Sequence, residues 1–493
     1  MGLNFEELSD QLEQLLHETL GTEYLINSFY RISKATPEQT KPYFLLKHNI
    51  PRPIIILVHL IQIPLNLIKL TCGLVLGLIF RYQHGIFELK IRNQKILFLS
   101  HGTSGNIFDL DKDRFFDLLP EEILSQRQIP CTIIYTNQNI FGFQRNLNLL
   151  KKKNININHV LLPKFLKFKE NLNFILYINF LMLKCLYFGI KIYFDSPSES
   201  RILLASISTF FNRKTYTNYL LRERLRDFYK GKSVTSIFLT FEGHSFEQIL
   251  IDDALKHEKR LNIYLYQHSP IVPFHFGIKK HLQNLSNQVN ILTTGKFYQD
   301  YFQSISNKPN FIVLGTNKID NIIKHSSSNG NSILYAPEGT SQATLDSIKL
   351  IHKLILEIPE YDHVLRLHPD LKETIKIKVL LSRLNKSDNF ILSDVELTDN
   401  LSSCRFLIYR SSAVGIQSLN YETVPIFYSQ PHLDGLNVLF KYTEHFHVAR
   451  NMTEVLSLIR SEPVALSSEA KQVILGEMFT AIKYQIVSEL NLI

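Results

Sequence analysis

The chain of 493 residues is long enough for roughly two to four domains. Hydrophobic residues make up 45% of it and charged residues 20%, which excludes a wholly disordered chain, and a mean hydropathy of -0.02 excludes a polytopic membrane protein. The net charge of +9 suits an anionic partner such as a phosphorylated substrate, an acidic lipid or a nucleic acid, or else a solvated basic surface.

Residues 1–90 form a predicted helical segment that faces a membrane. The N-terminus is acidic and amphipathic, without the basic start and apolar core of a secretory signal. Residues 53–80 are apolar over a length that could span a bilayer, but Lys69 and other polar residues interrupt the run. This pattern favours an interfacial or re-entrant membrane element, or buried core helices, over a true span.

Residues 91–318 alternate between apolar strands and helices. Runs such as QKILFLSH, SIFLTFEG and NIYLYQHS predict strands, and SFEQILIDDALKHEK predicts a helix between two of them. A basic and hydrophobic insertion interrupts the alternation at about 150–200 and contains the apolar stretch 172–195. Lysines beside aromatic and aliphatic residues are typical of proteins that hold anionic membranes, although a lysine-rich face beside a core helix has the same composition.

A second alternation occupies residues 331–470, after a linker at 319–331 that ends in a serine, asparagine and glycine cluster. Its predicted strands include SILYAPEGT, HVLRLHPDL and RFLIYRSS, and residues 471–493 are predicted to form a C-terminal helix. The predicted fold class is therefore α/β, with two tandem Rossmann-like domains whose parallel sheets carry helices on both faces. Ligands of such sheets bind at the carboxyl ends of the strands.

Two polar segments follow strands of the first predicted domain. Glu242 stands at the tip of SIFLTF, where Gly243 permits a tight turn, and could take a proton from an acceptor hydroxyl or cap the next helix. His268 follows the next strand and could orient a carboxylate or contact an acceptor, or simply satisfy a local hydrogen bond. Glu247, inside the following helix, is expected to point elsewhere.

Two further segments follow strands of the second domain. Arg366 and His368 are predicted to share one face of a strand, because side chains alternate with a period of two, and both can donate to a phosphate. Glu338, Gly339 and Thr340 follow the first strand and are predicted to frame a nucleotide. Each of these motifs is short.

The pair Ser411 and Ser412 lies between the strand RFLIY and a predicted helix. Hydroxyl groups and backbone N–H groups at such a position bind anions or cap the helix, and the two roles use the same geometry. Both roles remain open at this point.

The chain lacks the GxGxxG, P-loop, HExxH and GxSxG motifs. Its four cysteines are far apart in sequence, which predicts no zinc or redox motif. Asp109, Asp111 and Asp113 alternate, but they precede a predicted helix and are expected to form a capping loop. We therefore predict no metal site, no cofactor and no nucleic-acid partner.

Three of these motifs resemble those of bacterial sialyltransferases and polysialyltransferases of the GT-B glycosyltransferase fold. That family carries an acidic-acidic-Gly motif, a His-Pro motif and a Ser-Ser/Thr motif in this order, and here FEG (241–243), His368-Pro369 and Ser411-Ser412 follow it. Phe241 stands where the family usually has a second acid. The stretch from FEGHSFEQILID to YQHSPIVPF also resembles a group of surface-carbohydrate biosynthesis proteins.

The resemblance implies a role for each matched residue. Glu242 would deprotonate the acceptor hydroxyl, with His268 as the reserve base. His368 would bind or protonate the leaving phosphate of a CMP-sugar, and Ser411 and Ser412 would hold the same phosphate.

The resemblance also implies that Gln417 or Glu422 binds the ribose of the donor. The implied protein is a metal-independent, nucleotide-sugar-dependent glycosyltransferase of surface polysaccharide such as lipopolysaccharide. It would transfer a sugar, for example a nonulosonic acid from a CMP-sugar, to a glycan or lipid-linked acceptor. Its expected location is cytoplasmic and peripheral to the cytoplasmic membrane, on an anionic membrane surface.

Two alternatives stay open. A polyol-phosphate transferase that uses a CDP-alcohol would also carry His-Pro and Ser-Ser motifs, but the usual Asp-Tyr pair before the serines is replaced here by Tyr409-Arg410. A non-catalytic, membrane-associated scaffold on the same fold would bind no nucleotide.

Overall fold

A computed structural model of the chain describes two parallel β-sheets and the helices around them. The segment 1–90, with the membrane-facing stretch predicted at 53–80, lies outside the described residues, as do most of the linker and Thr340. The described residues are 95–102, 113, 115–137, 157–162, 168–191, 213–230, 234–258, 260–273, 275–317, 330–339, 341–368, 371, 375–429, 431–463 and 466–492.

The first sheet has seven parallel strands in the order β3-β2-β1-β4-β5-β6-β7. Its central strands are apolar on both faces, as expected where helices cover both sides of a parallel sheet. The strands are β1 (Ile96–Gly102), β2 (Cys131–Asn137), β3 (Asn158–Leu162), β4 (Ser236–Thr240), β5 (Asn262–Tyr266), β6 (Val289–Thr293) and β7 (Asn310–Val313).

In the described ranges, six helices accompany this sheet. They are α1 (Leu119–Arg127), α2 (Phe168–Lys191), α3 (Arg213–Lys230), α4 (Ser245–His257), α5 (Phe276–Asn284) and α6 (Lys296–Ile305). The longest of them, α2, falls within the predicted insertion. Among the helices of the described ranges, none combines the length and the apolar character needed to cross a membrane.

The second sheet has six parallel strands in the order β10-β9-β8-β11-β12-β13. The strands are β8 (Ser332–Ala336), β9 (Asp362–Leu365), β10 (Phe390–Leu392), β11 (Phe406–Tyr409), β12 (Val424–Tyr428) and β13 (His447–Ala449). The helices are α7 (Ser341–Glu357), α8 (Ile375–Leu384), α9 (Leu397–Ser403), α10 (Val414–Gln417), α11 (Met452–Arg460) and α12 (Ser468–Met478).

The prediction of two tandem Rossmann-like α/β domains is confirmed, because each sheet is parallel and wound with helices. Strands β1 to β7 fall within 91–318, and strands β8 to β13 within 331–470. Two strands were not predicted: β3 lies inside the basic insertion and pairs with β2 at the edge of the first sheet, and β13 pairs with β12 at the edge of the second.

The C-terminal segment differs from the single helix predicted for 471–493. The helix α12 ends at Met478, and the chain then returns to the first domain. The hydroxyl of Thr294 donates to the carbonyl of Met478, and the carbonyl of Leu492 accepts from the hydroxyl groups of Thr235 and Ser236. The last residues thus pack on the first sheet and tie the two ends of the described chain together.

Candidate active site

The loop after β4 carries Glu242 at the carboxyl end of the first sheet. β4 ends at Thr240, and Gly243 then adopts a φ of 79°, in the left-handed region that suits glycine. In the register of the sheet, Thr240 pairs with Tyr266 of β5. Glu242 and His268 each lie two residues beyond this pair, so parallel strands bring them side by side.

Three polar groups surround the Glu242 carboxylate. Its Oε2 lies 2.9 Å from Nε2 of His244, its Oε1 lies 3.2 Å from Nε2 of His268, and the hydroxyl of Ser269 donates to Oε1. Burial alone would raise the pKa of Glu242, but His268, His244 and the Ser269 hydroxyl outweigh it and hold that pKa well below its usual range. Because 23% of the side chain remains exposed, an ionised carboxylate is accessible at this edge.

Glu247 holds the same loop in place. Its carboxylate is fully buried and accepts hydrogen bonds from the backbone N–H groups of Glu242, Gly243 and His244 and from the hydroxyl of Thr240. Burial, together with the charge of Glu242, raises the pKa of Glu247 to about 7. The expectation that Glu247 points elsewhere is wrong, because the first turn of α4 directs its side chain back to the loop.

His268 is held by the residues around its strand end. Its ring meets the ring of Phe115 edge-on, with 4.9 Å between centroids, and only 5% of the residue is exposed. Next to it, Oε1 of Gln267 accepts hydrogen bonds from the backbone N–H and the hydroxyl of Thr294. These contacts fix the imidazole against Glu242.

We call Glu242, His244, His268 and Ser269 the Glu242 group. Sequence reasoning identified Glu242 and His268 separately and assigned no role to His244 or Ser269. The pairing register of β4 and β5 is the signal that could have predicted that these residues lie side by side. A carboxylate between two imidazoles can accept a hydroxyl proton itself, or orient an imidazole that accepts it.

The loop before α1 does not cap the helix where it is described. Oδ1 of Asp113 accepts the backbone N–H groups of Phe115 and Phe116 at 2.9 Å and 3.0 Å, which closes a turn within the loop, whereas the N-cap of α1 is Leu118, without a side-chain cap. Asp109 and Asp111 lie outside the described residues. Within the residues that the structure describes, no three His, Cys, Asp or Glu side chains converge as a metal-binding group.

Glu338 forms an ion pair at the carboxyl end of the second sheet. Nε of Arg410 lies 2.9 Å from both oxygens of Glu338, and Nη2 of Arg410 donates to one of them as well. The pairing of Ala336 in β8 with Tyr409 in β11 explains the contact, since both residues follow these strand ends. Glu338 is 8% exposed, so its carboxylate is committed to Arg410, and its predicted contact with a nucleotide remains a prediction.

Gly339 and His368 lie against each other, which brings two of the predicted motifs together. A Cβ atom at position 339 would stand 3.0 Å from Nδ1 and 3.1 Å from Cε1 of His368. Only glycine allows this approach without moving the ring. Thr340, the third residue of the same motif, lies outside the described residues.

Arg366 does not share a strand face with His368, because β9 ends at Leu365. Nη1 of Arg366 donates to the carbonyl of Val395 and lies 3.3 Å from Oδ1 of Asn400. The strand-face argument for a basic pair is therefore wrong. A phosphate contact from Arg366 stays a prediction.

The two serines follow β11 as predicted. Ser411 is buried, and Oγ of Ser412 accepts the backbone N–H of Val414 at 3.4 Å in a local turn, whereas the N-cap of α10 is Ala413, without a side-chain cap. The helix α10 that follows has only four residues and ends at Gln417, which is partly exposed. A phosphate contact from Ser411 or Ser412 stays a prediction.

Glu422 does not lie on this helix, and its predicted place at the ribose is wrong. It precedes β12, at the amino edge of the sheet, whereas ligands are expected at the carboxyl edge. Nζ of Lys471, which is 1% exposed, lies 3.3 Å from the Glu422 carboxylate and donates to the carbonyl of Tyr421 at 2.7 Å. Of the two residues considered for the ribose, only Gln417 follows the carboxyl end of a strand.

No protein-family model matches this chain, and no curated protein matches it in sequence. Solved structures similar to it include S. aureus MnaA with UDP, at 11% identity and a TM-score of 0.48 over 81% of this chain and 98% of the other. S. aureus TarM, in a variant bound to fondaparinux, a GlcNAc-glycerol and UDP, is 10% identical, with a TM-score of 0.44 over 81% and 99%. The Neisseria meningitidis UDP-GlcNAc 2-epimerase is 11% identical, with a TM-score of 0.41 over 80% and 98%. Any functional assignment has to rest on the residues of the site.

Proposed function

We propose that this protein is a glycosyltransferase that moves a sugar from a nucleotide donor to a glycan or lipid-linked acceptor in surface-polysaccharide biosynthesis. The Glu242 group carries the proposal. Sugar transfer to a hydroxyl needs a proton acceptor beside the acceptor oxygen and fixed donors beside the leaving phosphate. An ionised carboxylate braced by His268 and His244 at the end of a parallel strand suits the first requirement.

In the proposed reaction, the Glu242 group takes the proton of the acceptor hydroxyl. The acceptor oxygen forms a bond to the anomeric carbon of the donor sugar, and the bond from that carbon to the phosphate oxygen breaks. The nucleotide leaves with the electron pair, and its phosphate is received by His368, Ser411 and Ser412. Supporting this assignment, these residues follow the carboxyl ends of β9 and β11 in the second domain.

For the donor we favour a CMP-activated nonulosonic acid, because the FEG, His-Pro and Ser-Ser motifs follow one another in the chain as they do in the sialyltransferase family. A CDP-alcohol is the competing donor. The place of the usual Asp-Tyr pair is held here by Tyr409, which is buried and donates to Asn437, and by Arg410, which is paired with Glu338. Neither side chain supplies the missing carboxylate, which supports the sugar donor.

The test is to incubate the purified chain with CMP-nonulosonates, UDP-sugars and CDP-glycerol, with and without a metal chelator, and to measure nucleotide release with an acceptor present. We expect release from a CMP-sugar that survives the chelator. Thermal shifts with CMP, CDP and UDP provide a second readout, since a ligand at 100 times its Kd stabilises a fold by about 2.7 kcal/mol. Release from CDP-glycerol alone would select the polyol-phosphate transferase, and no binding of any nucleotide would select the scaffold.

The proposal places the enzyme at the cytoplasmic face of the membrane, where a lipid-linked acceptor is within reach. Cell fractionation should find it with membranes and release part of it at high salt, because screening weakens attraction to anionic lipids. Recovery entirely in the supernatant at low salt would contradict this location.

A further inference from the structure

The helix α2 presents a continuous apolar stripe to solvent. Six large apolar side chains recur every third or fourth residue along it, each between 48% and 63% exposed. They are Leu172, Leu176, Phe180, Leu183, Tyr187 and Ile190. The stripe runs about 27 Å along the helix at 1.5 Å per residue, so it is a surface rather than a scatter of single exposed residues.

The opposite face of α2 is buried, and at Phe174 it lies against α3. Phe174, Ile178, Leu181 and Cys185 are buried, and the ring of Phe174 lies 5.0 Å from that of Tyr219, centroid to centroid. The helix is therefore anchored by one apolar face while it exposes a second. A helix that is apolar on both faces needs an apolar partner on the side away from the protein.

The charges of α2 indicate the chemistry of that partner. Lys184 and Lys191 border the stripe on one side, and the only acidic residue in the helix sequence, Glu170, lies in its first turn. Nζ of Lys184 lies 5.7 Å from the ring centroid of Phe180, over the stripe itself. A second copy of this helix would bring like charges together, whereas an anionic surface would neutralise them.

We propose that this stripe docks α2 onto the surface of an anionic lipid bilayer, with the helix lying in the plane of the interface. Leu172 to Ile190 would enter the boundary between headgroups and acyl chains, and Lys184 and Lys191 would contact anionic headgroups. This deepens the proposed function by identifying the surface that holds the enzyme beside a lipid-linked acceptor.

The position of α2 suits this role. It packs on α3, and α3 is joined to α4 by an ion pair in which Nε of Arg226 lies 3.1 Å and 3.2 Å from the two oxygens of Asp253. The loop of Glu242 leads directly into the first turn of α4. Two helix contacts thus connect the membrane surface to the candidate active site.

The absence of tryptophan from the sequence permits a direct test. Phe180→Trp places the sole indole of the full-length chain on the stripe, and Leu356→Trp places it on α7, at another exposed apolar position. With vesicles of phosphatidylcholine and phosphatidylglycerol, we expect the emission of Phe180→Trp to shift to the blue and to be quenched by brominated lipid. The emission of Leu356→Trp should not change, and unchanged emission from both variants would overturn the proposal.

Flotation with the same vesicles gives a second measurement on the otherwise unaltered chain. Leu176→Ser with Leu183→Ser should lower the partition coefficient roughly tenfold or more, because two apolar side chains no longer leave water. The control, Leu356→Ser with Val473→Ser, removes two exposed apolar side chains elsewhere, at 76% and 60% exposure, and should bind as the wild type does. Lys184→Gln with Lys191→Gln should weaken binding to anionic vesicles and leave the weak binding to phosphatidylcholine vesicles unchanged.

Two results would contradict the proposal. One is flotation of the serine double variant at the level of the wild type. The other is a dimer without vesicles that the serine double variant dissociates, which would make a second copy the occupant. Nucleotide thermal shifts on the wild type separate the two proposals, since a wild type that binds nucleotide but not anionic vesicles refutes only the docking surface.

Discussion

Nε2 of His268 lies 3.2 Å from Oε1 of Glu242, although the two residues follow different strands of the first sheet. The contact joins the two side chains that the sequence offers as alternative bases. Because the pKa of Glu242 lies well below its usual range, the carboxylate stays ionised but is a weak proton acceptor. The imidazole beside it is therefore the second candidate acceptor, and variants of the two residues decide between them.

Glu242→Gln should therefore lower turnover about 10²–10⁴-fold whichever group takes the proton, since it removes either the base or the group that orients it. Donor affinity should stay near that of the wild type. Steady-state turnover and nucleotide thermal shifts measure the two effects. Asp252→Asn, a partly exposed carboxylate paired with Lys256 on the same helix, is the matched control and should be fully active.

His268→Asn and His244→Asn identify the proton acceptor. If His268 accepts the proton, His268→Asn is as impaired as Glu242→Gln, and the variant that carries both of these changes is no worse than either one. If Glu242→Gln instead keeps near wild-type turnover while His268→Asn is inactive, His268 is the base without help from Glu242, the loss expected for Glu242→Gln is wrong, and the acidic-motif resemblance fails. His244, which is more exposed than His268, should give the smaller effect.

Glu247 should control the stability of the loop and its dependence on pH. Its pKa is raised to about 7 from an ordinary value of 4.5, so the fold favours the protonated form. Between these values the folded chain binds more protons than the unfolded chain, and stability falls as the pH rises. The contribution of protonated Glu247 to the free energy of unfolding is fully present below pH 4.5 and is lost as the pH passes about 7.

Glu247→Gln cannot titrate, so the difference in unfolding free energy between wild type and this variant isolates the effect. The wild type should lose stability relative to the variant from pH 5 to pH 7, by roughly 2 kcal/mol for a shift of about 2.5 pKa units. Urea unfolding at pH 5, 6, 7 and 8 measures it. A difference that stays constant across this range would contradict the prediction.

The sequence was enough to predict the alternation of strands and helices, because continuous apolar runs such as SIFLT and NIYLY are typical of strands buried on both faces. It was not enough to predict β3. That strand reads NHVLL, with two polar residues in a lysine-rich context, and it forms by pairing at the sheet edge with β2. Local composition does not report such a pairing.

The candidate site likewise contains residues that local sequence patterns predict and residues that they do not. Glu242, His268 and His368 were predicted because each follows an apolar run, and strand ends collect ligand-binding residues in these sheets. The misplacement of Glu422 has a non-local cause. Its partner, Lys471, comes from a helix 49 residues later in the chain, and no local pattern connects the two.

The Glu338–Arg410 ion pair should be essential to the second domain. Glu338→Gln leaves the Arg410 guanidinium, 14% exposed, without its principal counter-charge, and breaking a buried pair in this way costs about 3–5 kcal/mol. Replacing both residues with methionine should recover most of that loss, because no charge is then buried. Urea unfolding of both variants measures this. A single variant within about 1 kcal/mol of the wild type would contradict it.

Gly339 offers a test of His368 that does not alter the imidazole itself. In Gly339→Ala the new methyl group meets the ring 3.0–3.1 Å away, so the ring has to move. If His368 holds the leaving phosphate, this variant should lower nucleotide affinity in the same direction as His368→Ala, which removes a charge-assisted hydrogen bond worth about 1.5–3 kcal/mol. The two changes should not add, since the ring that the methyl group displaces is absent from the histidine variant.

Gly476→Ala, where a Cβ atom has nothing within 4 Å, is the control and should bind nucleotide normally. Isothermal titration with CMP on the wild type, the three single variants and the double variant of Gly339 and His368 decides the matter, and additive losses would show that Gly339 acts on the nucleotide by another route than His368.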